Sequence, residues 1–122
     1  MAKVFLDTNL VIDIAYRKPE VRQALDKQEV YISPLSIHVL CYANKIKIPD
    51  KELDEFVKEY LVVDLTKKIL EKSLSGPTND LEDNIQLHSA AEAECDYFLT
   101  NDKNLLKMKF FGKTWIKDKL SQ

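Results

Sequence analysis

The stretch KVFLDTNLVIDI, residues 3–14, decides the fold. KVFL is short, bulky and mostly apolar, as a buried strand is, and from Leu10 onward the apolar residues recur at helical spacing. Asp7, Thr8 and Asn9 stand at the handover, and each of the three residue types caps helices well. One of them is therefore redundant as a cap. Asp7 is either that spare cap or one wall of a metal site.

Further runs resemble KVFL: VYIS (30–33), YLVV (60–63), YFLT (97–100) and, more weakly, KTWI (113–116). Between them the spacing predicts helices over about 9–16, 19–28, 35–47, 50–59, 66–75, 81–95 and 102–109. Pro19 and Pro34 suit first helical turns, and Asp50 suits a cap for KELDEFVKEY. Short, uniformly apolar strands alternating with helices imply an α/β, three-layer domain. Its central, mostly parallel sheet has four to five strands with helices on both faces. The small residues of SAAEA (89–93) let one helix lie close to that sheet.

Bulk properties agree with one domain spanning residues 1–122. The chain has 122 residues, 45% hydrophobic and 31% charged, enough for one core and too little for two. Two glycines and four prolines argue against low complexity and an all-β fold, and no internal repeat is visible. No charged leader followed by an apolar segment is seen, and no apolar run approaches the roughly 20 residues of a membrane span. Cys41 and Cys95 lack paired or metal-type spacing, so buried free thiols are expected. A cytoplasmic protein without a membrane partner is the expectation.

A net charge of −2 does not announce a nucleic-acid binder, but the charges are segregated. Between Lys72 and Lys103 there are seven acids and no Lys or Arg; from Lys103 to Lys119 there are six lysines and only Asp118. Such blocks place a cation-binding pocket beside a phosphate-attracting rim, or are ordinary solvated helix faces.

In parallel α/β sheets, ligands gather beyond the carboxyl ends of the strands. The residues there are Asp7 and Asn9, Ser33 and Ser36, Asp64 and Thr66, and Thr100, Asn101 and Asp102. Asp102 repeats the situation of Asp7, a buried strand running into an acid, and capping explains it equally well when taken alone. If the two strands are neighbours, the carboxylates approach each other, which needs a cation or a proton. Asp83, in NDLEDNIQLHSAAEAECD, has capping-box spacing from Asp80, yet Asp80, Glu82 and Asp83 are more acids than a cap requires. With Asp7 and Asp102 it would make an oxygen-only site, of the kind Mg2+ and Mn2+ prefer.

At these residues the chain resembles the PIN-domain family, the fold of VapC-type toxin ribonucleases. FLDTN with Asp13 beyond it, SPLS, DLEDNIQLHSAA and CDYFLTND occur in the family's order and near its spacing, over nearly the whole chain. The resemblance implies a metal-dependent endoribonuclease, with Asp7, Asp83 and Asp102 holding Mg2+ or Mn2+ for a water that attacks the phosphodiester. Asn9, Ser36 and Thr100 would support them. It further implies an RNA substrate, a small antitoxin protein covering the pocket, and a homodimer. Charge placement assigns RNA contacts to Arg17, Lys103 and Lys107.

One position departs from the family pattern. A Glu is common three residues after the position of Ser36; here Val39 stands there, and residues 30–49 contain no acid. Three other readings follow. The first is a weakened or inactive PIN domain that binds RNA or a protein partner. A receiver-like signalling domain would use Asp64, Thr100 and Lys117. A HAD-type phosphatase would need an acid where Asn9 stands.

Overall fold

A computed structural model of the chain describes residues 1–120. In chain order the elements are β1 (Lys3–Leu6), α1 (Thr8–Tyr16), α2 (Glu20–Gln23), β2 (Glu29–Ile32), α3 (Pro34–Asn44), α4 (Lys51–Val57) and β3 (Leu61–Val62). Then come α5 (Lys67–Ser73), α6 (Leu81–Glu92), β4 (Tyr97–Leu99), α7 (Lys103–Met108), β5 (Phe110–Phe111) and β6 (Thr114–Lys117).

Among the described residues the strands form one sheet in the order β3-β2-β1-β4-β6-β5, parallel except for the β5–β6 hairpin. The sheet is thus mostly parallel, as expected, but six-stranded where four to five strands were expected. The extra strand is Phe110–Phe111, which is two residues long and too short for periodicity to register. Gly112, at φ +61°, opens the two-residue turn that returns the chain into β6, a position that favours glycine.

Strand alternation divides the core. Val4, Leu6, Val30, Ile32 and Leu99 pack on one face with Leu10, Val11 and Ile14 of α1 and Leu40 of α3. Phe5, Phe98 and Ile116 face the other way, against Leu87 and Ala90 of α6 and Leu105 of α7. Phe5 and Phe98 stack across β1 and β4 with ring centroids 5.5 Å apart. Ser89 and Ala90 are fully buried, the close helix–sheet approach that SAAEA suggested. Both cysteines are free; Cys95 is buried and Cys41 only half-buried.

Several helices stop earlier than their apolar pattern does. The expected 35–47 helix ends at Asn44, where Lys45 turns to φ +54° and the Ile46 amide bonds the Cys41 carbonyl. The expected 81–95 helix ends likewise, with Glu94 at φ +56° and the Cys95 amide on the Ala90 carbonyl. Such stops normally carry glycine, so Lys45 and Glu94 give no warning in the sequence. The expected 19–28 helix shrinks to Glu20–Gln23. Beyond it the amides of Leu25, Asp26 and Gln28 reach back only three residues, to Arg22, Gln23 and Leu25.

The connection from β1 leads to β2 on one side, while β4 pairs on the other. The carboxyl ends of β1 and β4 therefore flank the topological switch point, where open α/β sheets bind ligands. This order also excludes the receiver-like reading: Asp64 follows β3, which lies at the sheet edge with β2 between it and β1.

Candidate active site

β1 and β4 run parallel in the register Leu6↔Leu99, and the Asp7 amide continues the ladder by donating to the Leu99 carbonyl at 3.0 Å. Asp7 and Thr100 thus leave neighbouring strands side by side. Five of the helices that follow are capped by a side chain at their first turn: Ser33 for α3, Asp50 for α4, Thr66 for α5, Asp80 for α6 and Asp102 for α7. Asp7 occupies the same position for α1, yet its carboxylate caps nothing. Instead the Thr100 hydroxyl donates to Asp7 Oδ2 at 2.6 Å in a buried contact. A bond to a charged acceptor of this kind contributes about 1.5–3 kcal/mol and fixes the carboxylate's direction.

Asp7 is only 4% exposed, and among the described residues no Lys, Arg or His pairs with it. Burial pushes its carboxyl above the usual carboxylate range, opposed by the bond from Thr100 and, less strongly, by Thr8 and Gln86; the charge of Asp102 adds to the rise. Asp83, in the first turn of α6, is pushed up to about 6, first by burial and then by Asp80, Asp7, Asp102 and Glu82 in that order. These carboxylates feel one another, and among the described residues no Lys, Arg or His forms an ion pair with them.

Thr100 also accepts from the Asp102 amide at 3.0 Å, so one buried hydroxyl ties Asp7 to the start of α7. Asp102 itself is exposed and spends Oδ1 on the amides of Asn104 and Leu105, at 2.8 and 3.1 Å. The capping explanation therefore holds for Asp102, and leaves its other oxygen free of protein partners. Asp80 caps α6 through the Asp83 amide at 2.9 Å, the local role that the capping-box spacing suggested.

The supporting residues divide. Ser36 is fully buried and pairs with the Thr8 hydroxyl at 2.8 Å, joining α3 to α1 rather than touching a carboxylate. Asn9 is exposed in the first turn of α1. Lys103 and Lys107 are exposed on α7, Lys103 next to Asp102. Arg17 stands at the far end of α1, about 15 Å from Asp7 at the helical rise, with its guanidinium on Asp13 at 2.9 Å. Val39 is half-buried on α3; nearby His38 is exposed and Asn44 bonds its own helix at the Leu40 carbonyl, so neither replaces the absent Glu.

Gln86 is the site residue that sequence reasoning missed. It is fully buried one turn after Asp83, and its Oε1 accepts from the Thr8 amide at 2.7 Å. It thereby satisfies one of the free amides of α1 that Asp7 leaves unbonded. A polar residue flanked by Ile85 and Leu87 on a core helix was the available signal.

The donor set suits a hard cation: oxygen ligands only, mutually repelling, with no internal counter-ion. It is open rather than closed. Among the described residues no three His, Cys, Asp or Glu side chains stand close enough to enclose an ion. Mg2+ commonly uses one or two carboxylates and completes its shell with water and substrate phosphate, which this arrangement permits.

The PIN-domain family model matches residues 4–111. Among solved structures, the crystal structure of VapBC2 from Rickettsia felis bound to a DNA fragment from their promoter is similar in fold. Its TM-score is 0.64 at 13% sequence identity, covering 93% of this chain and 98% of that chain. No curated protein matches. No helix among the described residues is long and apolar enough to cross a membrane. The strand order, the acids at the switch point and a match over most of the length agree: the chain belongs to the PIN-domain family.

Proposed function

We propose that the protein is a Mg2+- or Mn2+-dependent endoribonuclease and the toxin of a toxin–antitoxin pair. The observation that carries this reading is Asp7, a buried carboxylate in a capping position that does not cap, held by Thr100 and without an ion-pair partner among the described residues. Keeping such a group ionised is costly, and a bound divalent ion offsets that cost. Asp7 and Asp83 would hold the ion, with the free oxygen of Asp102 beside them.

A divalent ion bound there supplies charge to the phosphodiester and acidity to its water. The chain's own part is positional. Thr100 and Gln86 fix Asp7 and the start of α1. Asp83 is ionised above about pH 6 and so serves as a carboxylate at neutral pH. Lys103 and Lys107 on exposed α7 attract the RNA backbone. The likeness in fold to a toxin–antitoxin assembly supports a small protein partner, and a homodimer remains part of the proposal.

The open ligand set and Val39 favour a second reading, a PIN domain that binds RNA or a partner without cutting. Cleavage of a mixed RNA substrate with Mn2+ separates the two. The enzyme reading expects cleavage by the native chain and its loss in Asp7→Asn and Asp83→Asn. Equal products from all three chains, or none from the native chain, overturn it.

A further inference from the structure

The helices on the Val4–Leu6 face of the sheet cover β1 and β2 and leave β6 and β5 bare. On the opposite face Thr114 and Ile116 are buried; on the bare face Trp115 is 53% exposed and Phe110 55%. The register pairs Phe110 with Trp115, and Trp115 with Tyr97 of β4. The Phe110 and Trp115 rings meet edge-to-face with centroids 5.9 Å apart, a contact that occupies at most one face of one ring and leaves the others open. Lys117 places its ammonium over the Tyr97 ring at 5.8 Å, on this same face. Lys113 borders a depression of about 460 Å3 with Tyr97 and Trp115; its one acid, Asp96, already accepts the Lys3 amide at 2.8 Å.

An aromatic pair across a hairpin steadies the hairpin whatever else it does. Steadiness alone explains neither why the pair is on the side without a helix nor why lysines flank it. Exposed ring faces beside ammonium groups are how proteins hold single strands, bases on the rings and phosphates on the lysines. A protein partner would find little here to satisfy those charges, since the rim offers lysines rather than paired ions.

We propose that Trp115, Phe110 and Tyr97, with Lys113 and Lys117, form a platform for single-stranded nucleic acid. The platform leads toward the carboxylates: the Lys117 carbonyl accepts the Thr100 amide at 2.9 Å, placing its upper end beside the hydroxyl that holds Asp7. It deepens the ribonuclease reading, and rests on it for the class of ligand.

Trp115 is the only tryptophan, so its fluorescence reports this surface alone. The full chain is titrated in EDTA, where cleavage is off, with a twelve-residue pyrimidine RNA, a DNA of the same sequence and an RNA duplex. Saturable quenching by either single strand, weakened by salt and absent with the duplex, supports the platform, and the two strands tell which sugar it takes. Trp115→Ala and Phe110→Ala should each weaken binding of a labelled strand about tenfold or more, and Trp115→Phe should keep most of it. Both sites lie on the surface, and a matching thermal melt verifies the fold of each of the three variants. No quenching, unchanged affinity in both alanine variants, or a change of oligomeric state in Trp115→Ala overturns the proposal. Binding without Mn2+-dependent cleavage leaves the platform standing and removes the nuclease; cleavage indifferent to Trp115→Ala and Phe110→Ala does the reverse.

Discussion

Asp7 and Asp102 stand at equivalent places, each between a buried parallel strand and a helix, and they behave differently. Asp102 is exposed and bonds two amides of α7. Asp7 is buried, makes no capping bond to α1 through its side chain, and takes the Thr100 hydroxyl instead. Gln86, reaching across from α6, does for the Thr8 amide what a capping Asp would have done. The contrast teaches that position in the chain does not assign a carboxylate's task. Asp102 is aimed back at its own helix, whereas Asp7, whose helix is served by another residue, is left free for a different task.

The largest test of the contrast is at Asp7. Asp7→Asn should abolish Mn2+-dependent cleavage while leaving the fold intact, because no cap is lost. A fall in melting temperature without a fall in cleavage would make Asp7 structural. Thr100→Val removes the hydroxyl that both acids share, and supporting residues of this kind typically cost 10- to 100-fold in metal affinity or activity. Single-turnover cleavage across a Mn2+ series would measure it.

Asp102 can be divided into its two tasks. Asp102→Ala loses the cap, about 1 kcal/mol and roughly 4–8 °C in melting temperature for a small domain. Asp102→Asn keeps a good capping side chain and loses only the charge. If cleavage falls equally in both while stability falls only in the first, Asp102 is a ligand as well as a cap.

The smallest effect is a pH dependence at Asp83. Its folded value of about 6 lies above the ordinary 3.8, so the folded chain binds more protons than the unfolded chain between those values. The favourable contribution is complete below about 3.8 and is lost as pH rises through about 6. Asp83→Asn should therefore melt a few degrees higher than the native chain at pH 7.5, with the gap closing by pH 4. Thermal melts in EDTA at several pH values would reveal it, and a gap that widens toward low pH would contradict it.

Much of this was legible in the residues. Four strands and the α/β layering stood in the short apolar runs; β1, β2 and β4 are apolar because the sheet's faces are covered there, while the edge strand β3 is apolar though exposed. Asp7 stood out by redundancy among three capping residues. What escaped was either local structure without its usual residue signal or a contact distant in sequence. β5 is two residues deep in a hairpin, and the helix stops at Lys45 and Glu94 use left-handed residues other than glycine. Gln86 matters only because α6 crosses the start of α1. Arg17, a candidate RNA contact by charge placement, stands at the far end of α1 with its exposed guanidinium on Asp13 at 2.9 Å.

Calorimetric titration with Mn2+ most directly tests whether these carboxylates were gathered for a cation. The native chain should bind Mn2+ at pH 7.5 and far more weakly at pH 5, with proton release appearing near pH 6, and Asp7→Asn should lose the binding at both. Mn2+ binding by Asp7→Asn equal to that of the native chain would contradict the account.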